Sequence, residues 1–117
     1  MRDWPNPDLR RKLARQATSL AQSILDGKQP LVANAQRLET LMLQLQVERT
    51  DPIMEDLMLI ASETNTLPLG TERQFWDERA LEQKDRDIAR AEMWAREFGL
   101  DTCLRITQRF DQGDRAT

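Results

Sequence analysis

Apolar residues recur in steps of three and four along most of this chain. No segment alternates apolar and polar residues over a strand's length. The first stripe is Leu9, Leu13, Ala17, Leu20, Ala21, Ile24 and Leu25, and the second is Ala35, Leu38, Leu41, Met42 and Leu45. Such spacing puts the apolar side chains on one face of an α-helix and gives a β-strand no face to bury. The pattern predicts an all-α fold: a single-domain bundle of five or six helices without a β-sheet. An extended N-terminal arm over 1–7 and a frayed tail over 111–117 should flank the bundle domain at 8–110. The first helix is expected over 8–26, capped by Asp8 and ended by Gly27. The second runs over 30–47, with Pro30 in its first turn. The short link between them predicts an antiparallel hairpin. Asp51-Pro52 joins an N-cap to a first-turn proline and opens a third helix over 52–63. That helix is apolar around most of its circumference, so it should be the central, most buried one. Residues 64–70 read as a connector. Thr71 and Gln74 have capping-box spacing ahead of an aromatic turn at Phe75 and Trp76. A charged helix over 78–98 should stop at Gly99, and Asp101 should cap a last helix through Phe110.

Composition removes much chemistry. The chain has no His, which excludes the Ser-His-Asp triad, the Cys-His pair and His-ligated metals. Cys103, its single cysteine, cannot form an internal disulfide or a thiolate cage and reads as a buried small hydrophobe. Four scattered glycines build no phosphate-cradling loop. A net charge of -3 argues against nucleic acid as the partner of the whole domain and suits a basic protein partner. The longest apolar run, residues 57–61, is far short of a membrane span, and no apolar leader follows Arg2. A cytoplasmic location in a bacterium is expected, with no membrane partner and no cofactor.

The charges are unevenly spread. Residues 1–30 carry +3, residues 31–70 carry -4 and the remainder carries -2. Asp56 and Glu63 lie two turns apart on the third helix, with Glu55 beside them. A solvated helix face is the plain account of these acids. The functional account is an acidic face that docks a basic partner, extended by a rigid loop presenting Glu63, Asn65 and Arg73 near Trp76. Arg10, Arg11, Lys12 and Arg15 form a basic run on the first helix. Without interleaved aromatics it is weak evidence for nucleic acid, and intramolecular pairing is the better account. Trp76 and Trp94 lie on apolar stripes and read as core. Two other readings stay open. Glu82-x-x-Asp85, like Glu48-x-x-Asp51, has the spacing of the carboxylate pairs with which all-α nucleotide hydrolases hold magnesium. The heptad-like stripe Leu81, Ile88, Ala91, Ala95 and Phe98 would suit a homo-oligomeric structural protein.

The run Ser62-Glu63-Thr64…Leu67-Pro68…Gly70…Arg73…Trp76, followed by Ala80-Leu81 and Lys84, resembles a signature of small bacterial all-helical proteins. Ala35-x-x-Leu38 fits the same pattern, and the resemblance spans most of residues 9–110. In style the chain is similar to the small acidic proteins that accompany secreted bacterial toxins and neutralise them. The resemblance implies an immunity-type protein that blocks a toxin domain by binding. It carries over no catalytic residue.

Overall fold

A computed structural model describes residues 6–65, 67 and 77–115, the last five by their backbone alone. Among the described residues there are four α-helices and no strand: α1 Pro7–Leu25, α2 Leu31–Gln44, α3 Pro52–Thr64 and α4 Glu78–Arg115. The all-α class expected from the periodicity is what the backbone shows. The helix count is lower than expected because Gly99 and Asp101 neither end nor begin a helix. α4 runs unbroken for 38 residues, long enough at about 1.5 Å per residue to span the bundle, which measures 51 × 25 × 25 Å. Gly99 is buried inside this helix. A Cβ built there would collide with Leu31 Cδ2 and press on Ile60 Cδ1 at 3.2 Å. Its place in the chain is explained by lack of bulk at a helix crossing. Asp101 is an exposed mid-helix residue paired with Arg105 at 2.9 Å. The helix also continues past Phe110 to Arg115, where a frayed tail was expected.

The helix ends carry further corrections. Asn6 caps α1, its Oδ1 accepting from the Asp8 and Leu9 amides at 3.0 and 3.2 Å. Pro7 has its φ preset and no N–H to satisfy, so it enters the helix at N1 and moves the cap two residues back from Asp8. α1 closes in a Schellman turn. Gly27 sits at φ 77°, the Lys28 amide reaches Ser23 O at 2.9 Å and the Gly27 amide reaches Ile24 O at 3.1 Å. α2 stops at Gln44, short of the expected 47, in the same motif. The Val47 amide reaches Met42 O at 2.9 Å and the Gln46 amide reaches Leu43 O at 3.0 Å, with Gln46 itself at φ 63°. At the other end of α2, Pro30 is the N-cap residue and offers no side-chain bond. α3 opens as expected, with Asp51 Oδ1 accepting from the Ile53 amide at 3.0 Å.

α1 packs chiefly on α4, and α2 on α3; α4 touches all three other helices. The central element is therefore α4 and not α3. Ile53, Met54, Leu57 and Ile60 of α3 are fully buried, yet the helix keeps an outer face in solvent. One continuous core joins these to Ile24, Leu31, Leu38, Met42 and Ile106. Trp94 packs against it and meets Phe98 edge-on at 5.3 Å between ring centroids. The arm at residues 1–5 with Trp4, the connector beyond Leu67, the Thr71–Gln74 capping box, Phe75, Trp76 and Arg73 lie outside the described residues.

Candidate functional site

α3 offers the most distinctive surface. Its buried positions 53, 54, 57, 60 and 64 face the bundle. The remaining stripe is Glu55, Leu59, Ser62 and Glu63, all exposed. Glu55, Leu59 and Glu63 follow one another at four-residue steps, so they form a single ridge with neighbouring side chains about 5–6 Å apart. Leu59 is 44% exposed, an apolar side chain set between two carboxylates. Asn65, the C-cap residue of α3, is exposed at the end of this ridge.

Asp56 is drawn inward. Its Oδ2 accepts a 2.8 Å hydrogen bond from Thr102 Oγ1, and it is only partly exposed. Asp51 is likewise engaged: Oδ1 caps α3 and Oδ2 accepts from Arg109 at 2.9 Å. Two of the six acids in the middle segment thus join α3 to α4, while Glu55 and Glu63 remain on the outer face. The sequence pattern cannot separate these pairs, because adjacent positions such as 55 and 56 differ in environment by only 100° around a helix. Leu59 was not singled out by the sequence pattern. Its signal was present: a helix apolar on most of its circumference must leave some apolar side chains in water when it is not fully enclosed.

The residues of the other readings are also placed. Glu82 and Asp85 are exposed near the start of α4. Among the described residues no group of three or more Cys, Asp or Glu side chains is arranged to hold a metal ion. Ala95 of the heptad-like stripe is fully buried, and Ala91 and Phe98 pack against the core, so this half of the stripe serves the chain's own bundle. Cys103 is buried, and burial pushes its thiol up from 9.0 to about 11; Arg96 opposes the shift and Glu92 adds to it. A thiol held protonated in this way is a poor nucleophile.

Glu92 and Arg96 are the polar centre of the fold. Glu92 accepts from the Leu31 and Val32 amides at 2.7 and 2.8 Å. Arg96 bonds Glu92 at 3.1 Å and donates to Ile24 O at 3.0 Å. One side chain of α4 therefore caps the start of α2, while its neighbour one turn on caps the end of α1.

Among the described residues no helix is long and apolar enough to cross a membrane. No protein-family model matches the chain, and no curated protein or solved structure matches it either.

Proposed function

We propose that this chain is a non-catalytic binding protein that presents the Glu55–Leu59–Glu63 ridge and Asn65 to a basic surface on a protein partner. The observation that carries the reading is the exposed Leu59 between two free-facing carboxylates at one-turn spacing. An apolar anchor supplies the desolvated centre that interfaces depend on. The flanking charges speed encounter with a cationic partner and set register. In its most concrete form the partner is a bacterial toxin domain whose active site is blocked, the immunity-type role that the Ser62–Trp76 signature implies. Arg73 and the rest of that loop would extend the contact, and Asp56 would support the ridge from behind through Thr102. The buried, protonated Cys103 and the lack of any His favour binding over turnover. This reading places the protein in the bacterial cytoplasm, where a lone thiol stays reduced.

The test is co-purification with a tagged chain from the native host, followed by association and dissociation rates of the recovered partner across salt. Glu55→Lys with Glu63→Lys should slow association about 10-fold or more at low ionic strength, and the loss should shrink as salt screens the charges. Leu59→Asp should act mainly by speeding dissociation. A partner whose rates ignore all three changes would refute the ridge. Recovery of only further copies of the chain would favour the homo-oligomeric reading instead.

A further inference from the structure

Within the basic run of α1, Arg11 pairs with Asp8 at 3.5 Å, whereas Lys12 and Arg15 line a separate cleft. Lys12, Arg15, Gln16 and Ser19 lie on one stripe of α1, at i, i+3, i+4 and i+7. With Asn34 and Arg37 of α2 and Gln29 of the connecting turn, they line an open cleft of about 530 Å³ floored by the half-buried Leu20. None of the lining residues is a carboxylate. Ion pairs within the structure include those of Arg11, Arg90, Arg96, Arg105 and Arg109. None of them uses Lys12, Arg15 or Arg37. Three like charges therefore face one cleft on a chain of net charge -3. Like charges one turn apart on a helix disfavour it by a few tenths of a kcal/mol, a cost that a bound anion would remove.

We propose that this cleft binds a compact oligophosphate, either a free linear phosphate chain or the same group on a small molecule. Two guanidinium forks match phosphoryl oxygens bidentately, and the ammonium of Lys12 adds a mobile third charge. Gln16, Gln29 and Ser19 bring neutral donors to the same space. Asn34 gives one of its two amide N–H groups to Pro30 O at 2.7 Å, which leaves the second as a further donor. From Lys12 to Ser19 the stripe spans about 10 Å along α1, a length that suits two or three linked phosphoryl groups. The lining holds no aromatic ring, so it lacks the stacking surface that single strands and nucleobases use. Leu20 is its one apolar residue, too little for the buried anchors of an acidic peptide. The site is independent of the α3 ridge and stands whether or not that surface docks a partner.

Tripolyphosphate is the probe, titrated at constant ionic strength by calorimetry and by amide chemical shifts of ¹⁵N-labelled protein. Saturable binding should shift amides of 12–20 and 29–37 together. Arg15→Gln and Arg37→Gln should each weaken it about 5- to 20-fold, since hydrogen bonds to charged groups dominate such a site. Arg79→Gln, on exposed α4, should leave it unchanged. Without anion, the Arg15→Gln protein should melt no lower than the parent, because the change relieves repulsion; a lower melting temperature would assign Arg15 a structural role instead. A nucleoside triphosphate should bind no tighter than tripolyphosphate, and vesicles of anionic phospholipid should not sediment the protein. The proposal fails if tripolyphosphate at millimolar concentration produces no localised shifts, or if both cleft variants bind as well as the parent. It also fails if an acidic peptide, an oligonucleotide or anionic vesicles outcompete tripolyphosphate, each of which would reassign the cleft to that ligand.

Discussion

Two corners of this bundle solve the same problem by opposite means. The α1–α2 corner and the α2–α3 corner both leave a helix through a Schellman turn, on Gly27 and Gln46 respectively. Both must then satisfy the orphan amides at the start of the next helix. At the α2–α3 corner the solution is local: Asp51 caps the helix it precedes, and Pro52 removes one amide altogether. At the α1–α2 corner Pro30 has nothing to offer, and the amides of Leu31 and Val32 are met by Glu92, about sixty residues away. Arg96 does the same for the last turn of α1. The first kind of corner draws its hydrogen bonds from its own few residues. The second is complete only when α4 has docked, which ties the α1–α2 hairpin to the assembly of the whole domain.

The strongest way to break the remote corner is to lift α4 from it. Gly99→Val places branched carbons where even a Cβ meets Leu31 Cδ2 and Ile60 Cδ1. Overpacking of a full core costs about 1–3 kcal/mol or more, and a β-branched residue in this long helix recovers only part of it. We expect a loss near the upper end, read as a lower urea midpoint. Trimming the neighbour, Leu31→Ala, should make the two changes less than additive.

Removing the charge that holds the corner comes next. Glu92→Gln keeps the shape but weakens two amide bonds and the contact to Arg96, a cost of about 2 kcal/mol. Amide exchange at Leu31 and Val32 should quicken more than at Ile53. Cys103 probes the same seam, because Glu92 and Arg96 both act on its thiol. Its folded pKa of about 11 lies above the ordinary 9.0. The unfolded chain therefore releases this proton first as pH rises. The thiol's contribution to stability is intact below pH 9.0 and should be lost as pH climbs toward 11. Cys103→Ala should flatten that part of the pH profile, and an unchanged profile would place the thiol in contact with water.

The local corner should answer more weakly. Asp51→Ala loses one N-cap bond and a half-exposed ion pair to Arg109, together about 1 kcal/mol. Arg109→Ala, which removes the ion pair alone, should cost a few tenths of a kcal/mol. If Asp51→Ala proved as damaging as Glu92→Gln, the contrast between the corners would not hold.

The same contrast explains what could be read from residues alone. Asp51-Pro52 announces its helix because cap and helix are adjacent in sequence. Glu92 and Arg96 look like an ordinary i,i+4 surface pair, since nothing local shows that two helix ends come to rest against them. Gly99 was misread for the same reason: a glycine that makes room and a glycine that adopts a left-handed turn are one letter, and only the neighbour across the crossing separates them. Among the site residues, Glu55 and Glu63 follow from helical spacing. The inward turn of Asp56 depends on Thr102 of another helix, and the cleft needs Arg37 brought opposite Arg15.

The smallest expected effect is also the sharpest test of a corner closed by local means. Gln46 holds φ 63° without the freedom of glycine, a conformation that costs an ordinary residue about 1 kcal/mol. Gly27 holds φ 77° in the same motif with open space around its Cα. Gln46→Gly should relieve the strain, partly offset by the greater entropy of glycine in the unfolded chain and by the loss of the Gln46 side chain. A net gain of about 0.5 kcal/mol is expected. Gly27→Ala should lose about 1 kcal/mol, since it imposes the same strain on a turn that now lacks it. Opposite signs for the two changes would show that backbone conformation governs both turns. A loss at both positions would mean that the Gln46 side chain holds its corner, so that this corner too depends on more than its own backbone.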